Sequence, residues 1–206
     1  MAMKDLIMLN FLNSEKLDQS FDNLSSFINE REEAYRNFKN IGIPSKRNER
    51  WKYTDLKNYI RGIDFSLCKT SIDIETASSD KIDISEIDYF NKNRDDYLKP
   101  TQHLNDEAVI YLNLSYSNLF RCITIKDSPD KPILINIDSL GEGVSFPRFI
   151  FNIYPNVNVE IHFFNRGGEG FINQLIEFNI ENNSTVNIFR VNESSSIHSE
   201  TFMSYL

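Results

Sequence analysis

The side chains best suited to nucleophilic or metal chemistry in this chain of 206 residues are two cysteines, Cys68 and Cys122, and three histidines, His103, His162 and His198. The cysteines stand far apart, form no Cys-x-x-Cys pair and have no histidine at metal-ligand spacing, so they read as free thiols in a reducing compartment. His103, close after Pro100, reads as a loop histidine. His162 alternates with Ile161 and Phe163, which turns it to the wet side of a strand. His198 belongs to no constellation. Asp95 and Asp96 offer two carboxylates, but adjacent residues in a loop rarely converge on one substrate atom.

Lys46, Arg47 and Arg50, with Trp51 and Tyr53 to stack on bases, would make a phosphate or nucleic-acid patch. Glu49 interrupts that run, and 30 acidic residues against 22 basic ones give a net charge of −8, which disfavours a phosphate-binding surface. No nucleic-acid partner is expected. No Ser-His-Asp grouping, phosphate loop or dinucleotide fingerprint can be assembled. The sequence thus nominates no catalytic, cofactor-binding or metal-binding residue, and the chain is expected to hold no cofactor and hydrolyse no nucleotide.

The elements that would position any site are organised by a repeat. Phe151-Asn152-Ile153 through Asn156 to Val159 and Ile161 returns as Phe178-Asn179-Ile180 through Asn183 to Val186 and Ile188, at a constant offset of 27. A weaker echo sets Ile133 to Ile137 against Val159 to Phe163 at an offset of 26. Two strand-like runs per copy at this period are the pattern of a β-helix, in which successive turns share a core. Asparagine suits the corners because it tolerates the left-handed backbone, and Asn152 with Asn179, or Asn156 with Asn183, would stack between turns. Arg166-Gly167-Gly168-Glu169-Gly170 also fits a hairpin loop between antiparallel strands, so local signals allow both and the repeat favours the β-helix. Strands are expected at Val109 to Leu114, Phe120 to Ile125, Pro132 to Ile137, Phe149 to Tyr154, Val157 to Phe164, Phe171 to Ile180, Thr185 to Val191 and in a last run to Leu206.

Upstream, Leu17, Phe21, Leu24, Ile28, Ala34, Tyr35 and Phe38 recur at steps of three and four, predicting an amphipathic helix from Ser14 to about Asn40 that Gly42 and Pro44 end. Glu30-Arg31-Glu32-Glu33 reads as its solvated face. Trp51, the single tryptophan, suits an anchor whose burial is worth roughly 3–5 kcal/mol. Thr54 is expected to cap a short helix with Leu56, Tyr59 and Ile60 on one face. Residues 66–106 are polar and acid-rich, with short alternations at Ile72-Asp73-Ile74 and Ile82-Asp83-Ile84, and mark a boundary between residues 1–105, a helical region with a polar linker, and residues 106–206. Leu6 to Leu12 is too short to span a bilayer and lacks a cleavage site, so no membrane partner is expected and the cytoplasm is the expected location.

Gly42-x-Pro44 followed by Glu49-x-Trp51-Lys52-Tyr53-Thr54-x-Leu56, after a helix carrying Arg31, Ala34 and Phe38, resembles the SufD-type members of the SufB/SufD family of the SUF iron–sulfur cluster assembly machinery. Leu112-Asn113, Ile123-Thr124-Ile125 and Lys131-Pro132-Ile133 look like the family's lead-in to its β-helix. The resemblance implies a mainly β chain with an N-terminal helical region and a right-handed parallel β-helix, incomplete at the C-terminal end. It implies a non-catalytic scaffold that pairs with a SufB-like subunit and carries a SufC-like ATPase. Further coils, the ATPase docking region and the cluster-related residues are expected beyond Leu206, leaving an open edge on Thr201 to Leu206. Rival readings are a carbohydrate-active β-helix enzyme, which needs a carboxylate ladder that Glu160 over Asn187 does not provide, and a plain interaction module.

Overall fold

The computed structural model describes residues 28–44, 46, 51–61, 63, 65–78, 80–85, 108–117, 119–195 and 197–205. Helix α1 is Ile28–Ile41, and the expected part of this helix before Ile28 lies outside the described residues. Gly42, at φ 75°, ends α1, its N–H donating to the Phe38 carbonyl at 2.8 Å. Ala34 and Phe38 are buried, and so is Arg31, which corrects its reading as part of a solvated face. Its spacing of three and seven from Ala34 and Phe38 puts it on the packed side of the helix. Glu32 and Glu33 do face solvent.

The short helix α2, Leu56–Tyr59, is capped by Asp55 and not by Thr54: the Asp55 carboxylate accepts from the Asn58 N–H at 3.2 Å. Leu56 and Ile60 are buried, whereas Tyr59 is exposed. Helix α3, Ala108–Tyr116, replaces the strand expected over Val109 to Leu114. Val109, Ile110, Leu112 and Tyr116 are all buried, as are Asn113 and Ser115, so the run is buried on nearly every side, and such a run has no periodicity that separates helix from strand.

Among the described residues the chain forms ten strands: β1 Lys69–Glu75, β2 Ile82–Ser85, β3 Leu119–Ile125, β4 Ile133–Leu140, β5 Val144–Ser145, β6 Pro147–Ile153, β7 Asn158–Gly167, β8 Phe171–Ile180, β9 Thr185–Ser194 and β10 Ile197–Tyr205. The chain is mainly β, and its described helices all lie between Ile28 and Tyr116, before the run of long strands. The strands form two mixed sheets, ordered β1-β4-β7-β9 and β10-β8-β6-β3-β2, with β5 also on β8. From β3 onward consecutive long strands alternate between the sheets, and they pair parallel with one another. Phe151 pairs with Phe178 and Val159 with Val186, the register expected from the repeat. No hairpin joins β7 to β8, which lie in different sheets. The echo at an offset of 26 is corrected: Ile133 pairs with Ile161 and not with Val159. A shift of two positions keeps the same side chains on the same face, so the hydrophobic pattern cannot distinguish the two registers.

The acid-rich stretch expected to be a linker supplies β1 and β2, which pair antiparallel with β4 and β3 and flank the parallel strands. Between the sheets lies a core built from Ile123, Ile135, Phe149, Phe151, Ile161, Phe163 and Phe178 with their neighbours. A second core joins the helices to the outer side of β8 through Phe38, Leu56, Ile60, Leu112, Tyr116, Phe146, Phe171 and Leu175. Trp51 is half-buried against this second core.

The corners repeat as well. Asn156 and Asn183 sit at φ 64° and 63°, and the Asn183 amide donates to Asn156 Oδ1 at 3.4 Å. On the faces, Asn179 Nδ2 donates to Asn152 Oδ1 at 2.8 Å. A left-handed residue with a branched side chain costs about 1–2 kcal/mol. Asn183→Val is therefore expected to lower unfolding free energy by about that amount in urea titrations, with Asn183→Gly much closer to the unmodified chain.

Candidate functional site

Of the chemistry-bearing residues, His103, Asp95, Asp96, Arg47 and Arg50 lie outside the described residues. Lys46 pairs with Asp55 at 3.7 Å, and Tyr53 is exposed while Trp51 packs on the helical core. His162 lies on the outer side of β7, half-buried, with its Nε2 2.5 Å from Glu160 Oε1. His198 belongs to β10. Both cysteines are free. Burial pushes the Cys122 thiol up to about 11, against hydrogen bonds with Thr124, Ser85 and Asn152 that pull it down. A thiol held protonated in this way is a poor nucleophile and a poor metal ligand. Among the described residues no group of three or more His, Cys, Asp or Glu could hold a metal ion.

Two clusters that the sequence did not nominate dominate the buried polar chemistry. In the first, α1 points Arg31 at the C-terminal end of α3. Its guanidinium donates to the Ser115 carbonyl at 3.0 Å and to the Ser117 carbonyl at 2.5 Å, the carbonyls that a helix end leaves unpaired. Burial, and then the nearby positive charge of Arg148, lower the Arg31 pKa to about 10. Arg148 on β6 donates to Glu177 Oε2 on β8 at 2.7 Å, with both side chains buried, and its guanidinium carbon lies 5.0 Å from the Phe120 ring centre. The cluster locks the helical layer to the sheet.

The second cluster lies between the sheets, where β9 and β10 replace apolar core with polar groups. Inward-facing Phe163 is paired in register with Arg190, and Gln174 with Glu200. Arg190 forms an ion pair with Glu200 and stands 5.0 Å from the Phe202 ring centre. Asn165 Nδ2 donates to Asn192 Oδ1 at 2.7 Å and to Glu200 Oε1 at 3.1 Å. The Gln174 side chain is fully buried, and among the described residues neither its oxygen nor its nitrogen has a hydrogen-bond partner. Burial raises the Glu200 pKa, and the Arg190 charge and hydrogen bond oppose the rise. The arrangement can fix the pairing of the outermost strands. The signal in the sequence was the position one repeat after Phe163, where Arg190 stands in place of an apolar residue.

Residues 4–117 match the family described as the SufBD protein N-terminal region. The match covers more than half of the chain and includes α1, α2 and α3. The chain belongs to the SufB/SufD family. No curated protein and no solved structure matches it. The family residues land in the helical core: Arg31, Ala34, Phe38 and Leu56 are buried, and Trp51 packs beside them. Membership ties the chain broadly to iron–sulfur cluster assembly by the SUF system. No helix among the described residues is long and apolar enough to cross a membrane.

Removing one partner of a buried ion pair costs about 3–5 kcal/mol, whereas replacing both with apolar groups can be neutral. Arg148→Met and Glu177→Leu are each expected to lower the urea midpoint strongly, and the double variant to recover most of the loss. For Glu200 the raised folded-state pKa means that the folded chain binds more protons than the unfolded one above the ordinary glutamate value of 4.5. Its contribution to stability is therefore present at low pH and falls as pH rises from about 4.5 through the folded pKa. The stability of the unmodified chain relative to Glu200→Gln is expected to drop across that range in denaturant titrations.

Proposed function

We propose that this chain is a SufD-type, non-catalytic scaffold subunit of the SUF machinery, acting in the cytoplasm with a SufB-like subunit and a SufC-like ATPase. The observation that carries the reading is the family match over residues 4–117. The choice of SufD over SufB rests on the run from Gly42-x-Pro44 through Trp51-Lys52-Tyr53-Thr54. In this reading the strands from β3 onward are turns of a right-handed parallel β-helix. The chain of parallel pairs supports it, with Ile123 on Phe151, Phe151 on Phe178 and Phe178 on Ser204, as does the alternation of strands between two sheets. In this division the described residues before 106 supply two helices and the flanking strands β1 and β2, and residues 106–206 supply α3 and the coils.

A scaffold role needs surfaces and rigidity more than reactive groups. The isolated cysteines and the protonated Cys122 favour a subunit that binds no cluster of its own, with clusters as the product of the assembled complex. Co-expression of the tagged chain with the SufB-type and SufC-type proteins of its own genome tests the proposal. Expected are retention of the SufB-type protein on the tag, recovery of the SufC-type protein with that pair, and unchanged retention when Cys68→Ser and Cys122→Ser are combined. The chain purified alone should show background nucleotide hydrolysis and no stoichiometric iron or sulfide. Failure to retain the SufB-type protein, or hydrolysis by the chain alone, would overturn the reading.

A further inference from the structure

The helical layer covers the outer side of the β8 sheet, and among the described residues no helix packs on the outer side of the β1-β4-β7-β9 sheet. Alternation along the strands fixes what that second face carries. One row across it runs Glu75, Leu134, His162, Phe189, and the next runs Asp73, Asn136, Phe164, Val191. The middle of the face, at Leu134, His162 and Phe164, is therefore apolar and aromatic, and it continues onto the edge strand β9 through Phe189 and Val191, 54 % and 40 % exposed. It is also preorganised. The His162 ring meets Phe189 at 5.0 Å and Phe164 at 6.3 Å between centres, and Glu160 fixes His162 through its 2.5 Å contact.

Acids frame this centre. Asp73 and Glu75 lie along β1, Asp138 and Glu193 across one end, and Glu160 at the other. Among the described residues two cations border the frame: Arg166, engaged with Glu193 at 3.4 Å and with the Phe164 ring at 5.7 Å, and the exposed Lys69 on β1, one row beyond Asp138. No ion pair among the described residues covers Asp73 or Asp138. An exposed aromatic patch rimmed by one sign of charge is the mark of a binding surface.

We propose that this face docks an amphipathic helix of a partner protein that carries lysines or arginines along one side and at the ends of an apolar stripe. Three strands spaced about 4.7–4.9 Å apart make a strip about 10 Å wide, which matches the diameter of a helix with its side chains, about 10–12 Å. Successive outward residues along a strand are about 7 Å apart, so the two rows accept side chains one helical turn apart. Charge selects the occupant. A second copy of this chain, at net charge −8, would bring acids against the acidic frame, whereas basic flanks would reach Asp73 and Asp138. The proposal stands on the geometry of this face and does not rest on the scaffold reading.

The test uses the whole chain and a fluorescently labelled 18-residue helical peptide with a leucine and phenylalanine stripe flanked by lysines, read by fluorescence anisotropy. Saturable binding is expected that weakens on going from low to high salt and is lost when glutamates replace the peptide's lysines. Phe189→Lys is expected to weaken binding by about tenfold or more, as for an aromatic contact residue that carries much of the binding energy. Tyr59→Lys, at another exposed aromatic, should leave it unchanged. Far-ultraviolet circular dichroism and the melting temperature should match the unmodified chain in both variants, because both positions are exposed. Should Phe189→Lys unfold the chain, Val191→Lys at its 40 % exposed neighbour provides the same test. Absence of saturable binding, equal affinity for the glutamate peptide, full affinity in the folded Phe189→Lys or Val191→Lys chain, or an equal loss in Tyr59→Lys would overturn the proposal. So would a dimer seen by light scattering that Phe189→Lys dissolves, since that would assign the face to a second copy.

Discussion

Every interior side chain between the two sheets must fit against the residue one repeat away, because parallel strands in register place equivalent positions about 4.8 Å apart. Phe151 and Phe178 meet this constraint with rings 4.9 Å apart and 15° from parallel, while Phe163 from the opposite sheet closes on Phe151 edge-on at 6.1 Å. The same spacing suits an asparagine ladder, so Asn152 and Asn179 hydrogen-bond where a pair of charges would repel. At the glycine corners it leaves no room for a side chain. A Cβ on Gly167 would stand 2.1 Å from the Ser139 carbonyl oxygen and one on Gly170 2.3 Å from that of Gly143, so glycine is required where the backbones cross.

The constraint also explains why the change of interior at β9 and β10 matters. Glutamate in register with Gln174 brings a buried carboxylate to the end of an apolar core, and a buried charge is tolerable only with a partner, here the more exposed arginine in register with Phe163. Arg190 and Glu200 are that partnership, with Asn165 and Asn192 tying it to the walls. An apolar interior would let the strands slide by two residues without exposing anything. A specific ion pair and an amide pair make such a slip costly, so the polar layer sets register where the side-chain pattern alone is permissive.

Much of this organisation could be read in the residues themselves. The return of Phe-Asn-Ile with its asparagine corners located the register of β6 on β8 and β7 on β9, because repetition carries tertiary information that local propensity does not. The helix over Ala108–Tyr116 could not be read, since an element buried on nearly every side loses the periodicity by which helices are recognised. Arg31 was hidden by its neighbours: among Glu32 and Glu33 it looks like a solvated charge, and only the carbonyls of Ser115 and Ser117, far along the chain, give it a buried role. The aromatic outer face was half visible. His162 was placed on the outside of its strand, but Leu134 and Phe189 become its neighbours only through strand pairing.

Strand β8 shows why the helical layer and the repeats form one folding problem. Its first eight residues, Phe171 to Phe178, are buried on both faces. Ile176 and Phe178 enter the core between the sheets, while Phe171 and Leu175 enter the core under the helices. Asn173 donates to the Val109 carbonyl at 2.7 Å and Asn113 donates to the Asn173 carbonyl at 2.7 Å, so α3 is bound to this strand by polar contacts as well as apolar ones. Stripping the helices away would leave Phe171 and Leu175 in water and Glu177 without the packing that keeps its bond to Arg148 dry. The region shared with the family therefore acts as a structural wall of the β part: its buried arginine, alanine and phenylalanine hold α3 against β8, and β8 in turn carries the register to the strands beyond it.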